Sequence, residues 1–116
     1  MAIIEPATPS SRAAPPSLDQ IRPRLAEFCA GHGIRRAIAF GSFARGTQTR
    51  RSDLDLVIVM DTKKRFLDRY DEVNAIHDEV PGVHVEMLIY TEDELRAIAH
   101  RPFMRQILRE GVVVYE

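Results

Sequence analysis

The run Ala37-Ile38-Ala39-Phe40 is apolar at successive positions rather than alternate ones, between Gly33 a few residues upstream and Gly41 directly after it. A run that short, without polar alternation, is a strand covered on both faces. Asp53 to Met60 is a second strand, opened by acids. Strands buried on two sides need helices above and below. The rest of the chain has the periodicity to supply them, so the expected class is α/β: one small sheet with helices packed against it.

Helix and strand signals alternate along the chain. Ser17 and Gln20 make a capping box, after which Leu18, Ile21, Leu25 and Phe28 follow at helical spacing until Gly31 and Gly33. Pro23 is awkward inside that helix and implies a kink or a later start. A short helix begins at Ser42. Phe66, Tyr70, Val73, Ile76 and Val80 mark a second long helix that Pro81-Gly82 stops. Val83 to Tyr90 reads as a third strand. Thr91 and Glu94 form another capping box, opening a helix that Pro102 interrupts or restarts, and Gly111 closes it before a terminal strand at Val112 to Tyr115. Residues 1–16 hold four of the seven prolines without sustained periodicity and are expected to be a disordered arm, leaving 17–116 as a single domain.

Composition narrows the function classes. The 116 residues, 45% hydrophobic and 28% charged, suit one globular core. A formal net charge of −1 argues against an obligatory nucleic-acid ligand. Arg35, Arg36, Arg45, Arg50 and Arg51 nevertheless flank the segment between the first two strands; for Arg35 and Arg36 a solvated basic rim is the simpler reading. Cys29 is the single cysteine and falls on the apolar stripe of the first helix, as a small buried hydrophobe. No stretch approaches the roughly 20 apolar residues of a membrane span, and the N-terminus lacks a secretory layout, so a cytoplasmic location is expected.

The chemistry concentrates between the first two strands. Asp53 and Asp55 project to one face of their strand, with Val57 and Val59 continuing it. Two carboxylates about 4 Å apart repel by about 4 kcal/mol at an effective dielectric near 20. A divalent cation removes that cost, and hard cations such as Mg²⁺ prefer oxygen donors. Taken alone, Asp-x-Asp also describes two strand-end acids in solvent. Ahead of it, Gly41 permits close backbone approach, Ser42 is expected to cap the following short helix and meet a phosphate oxygen, and Arg45 shares the face of that turn. Alone, Gly-Ser is an ordinary strand-to-helix turn. Together, in a strand–helix–strand context, the two motifs pair a phosphate cradle with a cation site.

In the third strand Glu86 is the one acid in an apolar run, a carboxylate costly to bury unless a cation or donor meets it. His84 lies on its face and is within reach of the site, although a hydrogen-bonded strand histidine is the simpler account. His77 is expected at a core edge; His32 and His100 are expected in solvent, and the four show no zinc-ligand spacing. Glu92-Asp93-Glu94 opens a helix, where negative charge complements the dipole.

Gly41-Ser42, ten residues, then Asp53-x-Asp55 resembles the signature of the polymerase-beta-like nucleotidyltransferase superfamily, and over about residues 18–116 the compact chain looks most like its minimal nucleotidyltransferase branch. That branch includes antitoxins paired with HEPN-domain ribonuclease toxins. The resemblance implies a nucleotidyltransferase fold with a small mixed sheet. It implies that Gly41, Ser42 and Arg45 bind the triphosphate of ATP, and that Asp53, Asp55 and Glu86 form the catalytic carboxylate set, holding two Mg²⁺ ions. Glutamate replaces the commoner aspartate at the third position, which changes its reach. The implied reaction moves AMP from ATP to a hydroxyl, in this branch a tyrosine of a HEPN toxin. Because the chain stops at Glu116, the acceptor is expected to be gripped largely by that partner. Two other readings stand beside it: a binding module that masks its partner without catalysis, and a transferase for a small molecule.

Overall fold

The computed structural model describes residues 14–116, and the segment expected to form a proline-rich arm lies outside them up to position 13. Helix α1 (Leu18–Gly31) opens on the predicted capping box: Ser17 Oγ accepts from the Gln20 N–H at 3.2 Å, and Gln20 Oε1 accepts from the Ser17 N–H at 2.8 Å. The helix starts before Pro23 and runs through it. A proline there costs about 3 kcal/mol. Burial of Leu18, Ile21, Leu25, Phe28 and Cys29 along one stripe offsets this, at about 1.5–3 kcal/mol for each large side chain. His32 is exposed as expected, yet its Nδ1–H donates to the Phe28 carbonyl at 2.8 Å and its ring stacks on Phe28. It thereby satisfies a carbonyl that the helix end leaves open.

Strand β1 (Ile34–Phe40) starts three residues before the apolar run. It pairs antiparallel with β2 (Leu54–Met60) on one side and with β4 (Val112–Tyr115) on the other, while β2 pairs parallel with β3 (Val85–Tyr90). The sheet order is β3-β2-β1-β4, a mixed four-stranded sheet, as the expected fold requires. Alternate residues feed two cores. Ala37, Ala39, Leu54, Leu56, Ile58, Met87 and Ile89 pack with α1, and Ile38, Val57 and Val59 pack with α4 (Glu92–Ile98) and α5 (Pro102–Glu110). Pro102 restarts a helix at its first turn, where its missing N–H costs nothing. Between β1 and β2 lies the single-turn helix α2 (Ser42–Arg45).

The second long helix expected over Phe66 to Val80 is instead broken into a 3₁₀ turn (Phe66–Arg69), the helical turn α3 (Tyr70–Val73) and a second 3₁₀ stretch (Asn74–Glu79). The buried positions Val73 and Ile76 are three apart, a spacing that fits a 3₁₀ turn as well as an α-helix. Tertiary contacts hold the broken segment down. Arg69 is buried, and its guanidinium donates to both carboxylate oxygens of Glu94 at 2.5 and 2.8 Å, to the Ile89 carbonyl at 3.0 Å and to the Lys64 carbonyl at 2.9 Å. The Tyr70 hydroxyl donates to the Met87 carbonyl. Glu94, in the second predicted capping box, thus anchors the segment as well as opening α4. No helix among the described residues is long and apolar enough to cross a membrane.

Candidate active site

β1 ends at Phe40 and the chain turns at Gly41, whose φ of +73° and ψ of −151° lie in a region essentially reserved for glycine. Space demands glycine as well: a Cβ at position 41 would stand 2.5 Å from Asp55 Oδ2. Gly41 itself occupies the N-cap of α2, and Ser42 is the first helical residue, with no side-chain capping bond. The expected Ser42 cap is therefore corrected, because the positive-φ turn takes the place a capping side chain would hold. The hydroxyl of Ser42 is left for other partners. Helix geometry leaves the first N–H groups of the turn without upstream carbonyls.

The carboxylates come from the β2–β3 pair. Parallel pairing sets Asp55 opposite Glu86 and Leu54 opposite Val85, and the Leu54 N–H donates to the His84 carbonyl at 2.8 Å just before the strands begin. Asp53 and His84 flank that bond, so two short segments bring four polar side chains to one corner of the sheet. His84 Nδ1 lies 3.1 Å from Glu86 Oε2 and 3.5 Å from Asp53 Oδ1. Ligand atoms of Asp53, His84 and Glu86 all fall within 4.8 Å of one another. Asp55 points differently, toward Gly41, and is the half-buried member of the set.

Glu86 is not the buried lone acid its apolar neighbours suggested. Its side chain is 56% exposed, because it stands at the open start of β3, while the α4–α5 layer covers the later residues of its face, Leu88 and Tyr90. His84 also sits ahead of β3 rather than inside it, and it touches the acids. Its spacing two residues before Glu86 was the available signal.

Desolvation pushes the Asp55 carboxyl above its ordinary range, the negative charges of Asp53 and Glu86 add to the rise, and Arg45 opposes it. Arg45 also stands 3.9 Å from Glu110, a loose and exposed pair that leaves its guanidinium little committed. Arg35 and Arg36 take no part: they pair with Asp61 at 2.9 Å and Glu92 at 2.7 Å, and Arg36 sits opposite Val59, toward the other end of β2 from Asp55. Cys29 is fully buried, and burial pushes its thiol up to about 11, which makes it inert.

A cleft of about 210 Å³ adjoins Asp55. Phe40, Gly41 and Arg45 form one side, and Phe103, Gln106, Ile107 and Glu110 of α5 form the other. No sequence signal placed α5 here, since its approach to β1 is a long-range packing event. The corner offers carboxylate oxygens and one imidazole nitrogen close enough to share an ion, a donor set that suits a divalent cation.

Known proteins resemble this chain in sequence and in fold. A Methanocaldococcus jannaschii protein, provisionally named protein adenylyltransferase MJ0435, is 30% identical over 98 residues, covering 84% of this chain and 98% of its own. A solved structure provisionally assigned as a minimal nucleotidyltransferase superposes with a TM-score of 0.61 at 31% identity, over 84% of this chain and 95% of that one. A toxin–antitoxin crystal structure with AMP-PNP shares the fold, with a TM-score of 0.61 at 18% identity over 80% of this chain and 71% of that one. The family model for the nucleotidyltransferase domain matches residues 18–115, a span that takes in the Gly41 turn, all three acids and the α5 wall of the cleft, and the chain belongs to that family.

Proposed function

We propose that this nucleotidyltransferase moves AMP from ATP to a hydroxyl on a partner protein, a tyrosine in the leading case, and that the partner is a HEPN-type toxin that it restrains. The observation that carries the reading is the register that sets Asp55 opposite Glu86, with Asp53 close to Glu86 and Asp55 against the Gly41 turn. The resemblance to a relative named as a protein adenylyltransferase, and to a toxin–antitoxin structure holding AMP-PNP, supports the choice of substrate and partner.

In this reading the backbone of the Gly41–Ser42 turn and the Ser42 hydroxyl hold the triphosphate, and Arg45 adds charge to its β- and γ-phosphates. Asp53, Asp55 and Glu86 hold the divalent cations, two Mg²⁺ ions in the family pattern, which neutralise phosphate charge when bound. The acceptor oxygen bonds to the α-phosphorus as its proton passes to solvent. The bond to the bridging oxygen breaks, and its electron pair leaves on pyrophosphate. Positioning and charge neutralisation supply most of the acceleration, so few side chains suffice.

The test mixes the purified chain with its co-purifying partner, Mg²⁺ and α-labelled ATP. Label that reaches the partner and disappears with Asp53→Asn or Asp55→Asn is the expected result. Neutralisation of the partner that neither substitution alters, without label transfer, would replace this reading with steric masking. Turnover without any protein partner would point to a small-molecule acceptor.

A further inference from the structure

We propose that His84 is a direct ligand of the divalent cation held by Asp53 and Glu86, so that the corner binds borderline transition ions such as Co²⁺ or Zn²⁺ in preference to Mg²⁺. The inference rests on reading Asp53 and Glu86 as cation ligands, and it adds a nitrogen donor that the three-carboxylate pattern lacks.

Geometry is the first support. His84 Nδ1 stands 3.1 Å from Glu86 Oε2 and 3.5 Å from Asp53 Oδ1. Donors held about 2.1 Å from one ion lie about 3.0 Å apart at the cis positions of an octahedron and about 3.4 Å apart in a tetrahedron. The two histidine–carboxylate spacings lie close to those edges, and all three ligand atoms fall within 4.8 Å of one another, so small side-chain rotations suffice to close them on one ion. The Leu54-to-His84 backbone bond fixes the two segments that carry these side chains.

Division of labour is the second support. Asp55 turns toward Gly41 and the cleft, and it is not among the three residues, Asp53, His84 and Glu86, whose ligand atoms lie within 4.8 Å of one another. The corner therefore has three donors of its own without Asp55. An imidazole among them favours Co²⁺ and Zn²⁺, which bind nitrogen donors well, while Mg²⁺ gains little from leaving water for nitrogen. The set is also exposed, which leaves positions for water or a phosphate oxygen.

The experiment uses the full chain stripped of metal, without nucleotide. Co²⁺ is titrated and followed by its visible absorption, and Mg²⁺ and Mn²⁺ are ranked by competition. In parallel, the His84 ring nitrogens are followed by NMR while Zn²⁺ is added. The expected result is a Zn²⁺-dependent shift at His84 Nδ1, with Co²⁺ binding weakened at least about tenfold in His84→Ala and Mg²⁺ binding changed about twofold or less. Equal Co²⁺ affinity in wild type and variant, or an unmoved Nδ1 signal at saturating Zn²⁺, overturns the proposal. The NMR arm needs no variant, so a misfolded His84→Ala does not leave the question open. Label transfer that proceeds with Mg²⁺ while Co²⁺ affinity is equal in wild type and His84→Ala would leave the transferase reading standing while this one fell. Zn²⁺ ligation by His84 without any label transfer would do the reverse.

Discussion

Gly41 and Asp55 are fitted to each other: the space a side chain would need at position 41 is filled by the Asp55 carboxylate, whose Oδ2 would stand only 2.5 Å from a Cβ there. The same glycine has a φ of +73°, so two independent constraints forbid a side chain there. Gly41→Ala should cost about 1–3 kcal/mol from backbone strain alone. It should also swing Asp55 out of place and lower transfer about 100-fold, since displacements near 1 Å are that costly in a preorganised site. Thermal melts and label-transfer rates of the variant check both effects, and near-native transfer would refute the fit.

Asp55 carries a penalty of its own when no cation is bound. Desolvation and the charges of Asp53 and Glu86 raise its carboxyl above the ordinary value, so the folded state holds that proton more tightly than the unfolded chain does. The sign follows from linkage. Stability linked to this group is present below the unfolded-state pKa and is lost as pH rises through the folded-state value. At pH 7, Asp55→Asn should therefore melt higher than wild type in chelator, while transferring no AMP. The advantage should shrink at acid pH and when divalent cation is added to the wild type. A variant that melts lower at neutral pH in chelator would contradict it.

Much of this site was legible because its determinants are local. Glycine before serine, acids two apart on a strand, and a lone acid in an apolar run each have a nearby physical reason. The features that escaped depend on distant packing. The helix expected over Phe66 to Val80 breaks because a three-residue apolar spacing suits two helix types, and Arg69 reaches across to Glu94. The α5 wall of the cleft arises only when that helix lies against β1. Glu86 is exposed because the covering helices reach the later part of β3 and not its start, which no reading of its neighbours reveals.

Arg69 and Glu94 give a second pH signature, of opposite sign. The two-pronged bond from Arg69, helped by the Thr91 N–H, lowers the Glu94 carboxyl from 4.5 to about 2. A depressed acid contributes stability above its unfolded-state value, and that contribution is lost as pH falls toward the folded-state one. Glu94→Ala should cost about 2 kcal/mol at pH 7 by stranding a buried guanidinium, an amount reduced by the solvent that reaches Glu94. Urea midpoints of variant and wild type should converge as pH falls from 4.5 to about 2. A gap that stays constant over that window would mean the pair contributes through packing alone.

Gly111 tests whether α5 must seat closely on β1. Its φ of −66° and ψ of 152° suit any residue, so backbone entropy alone favours alanine by about 0.4–1 kcal/mol. Packing opposes that gain. A Cβ at position 111 would meet Ile38 Cγ2 at 2.5 Å, the Ile107 carbonyl oxygen at 2.7 Å and the Ala39 carbonyl oxygen at 3.3 Å. The two carbonyls belong to the backbone and cannot rotate aside, so α5 must move. Overpacking of this kind typically costs about 1–3 kcal/mol, enough to reverse the entropic gain. Gly111→Ala should therefore melt about 4–8 °C lower for each kcal/mol lost. Because Gln106, Ile107 and Glu110 ride on the same helix and line the cleft beside Asp55, the shift should raise KM for the substrate that occupies it more than it lowers kcat. An alanine variant that melts at or above the wild-type temperature with unchanged KM would show that α5 has slack against the sheet.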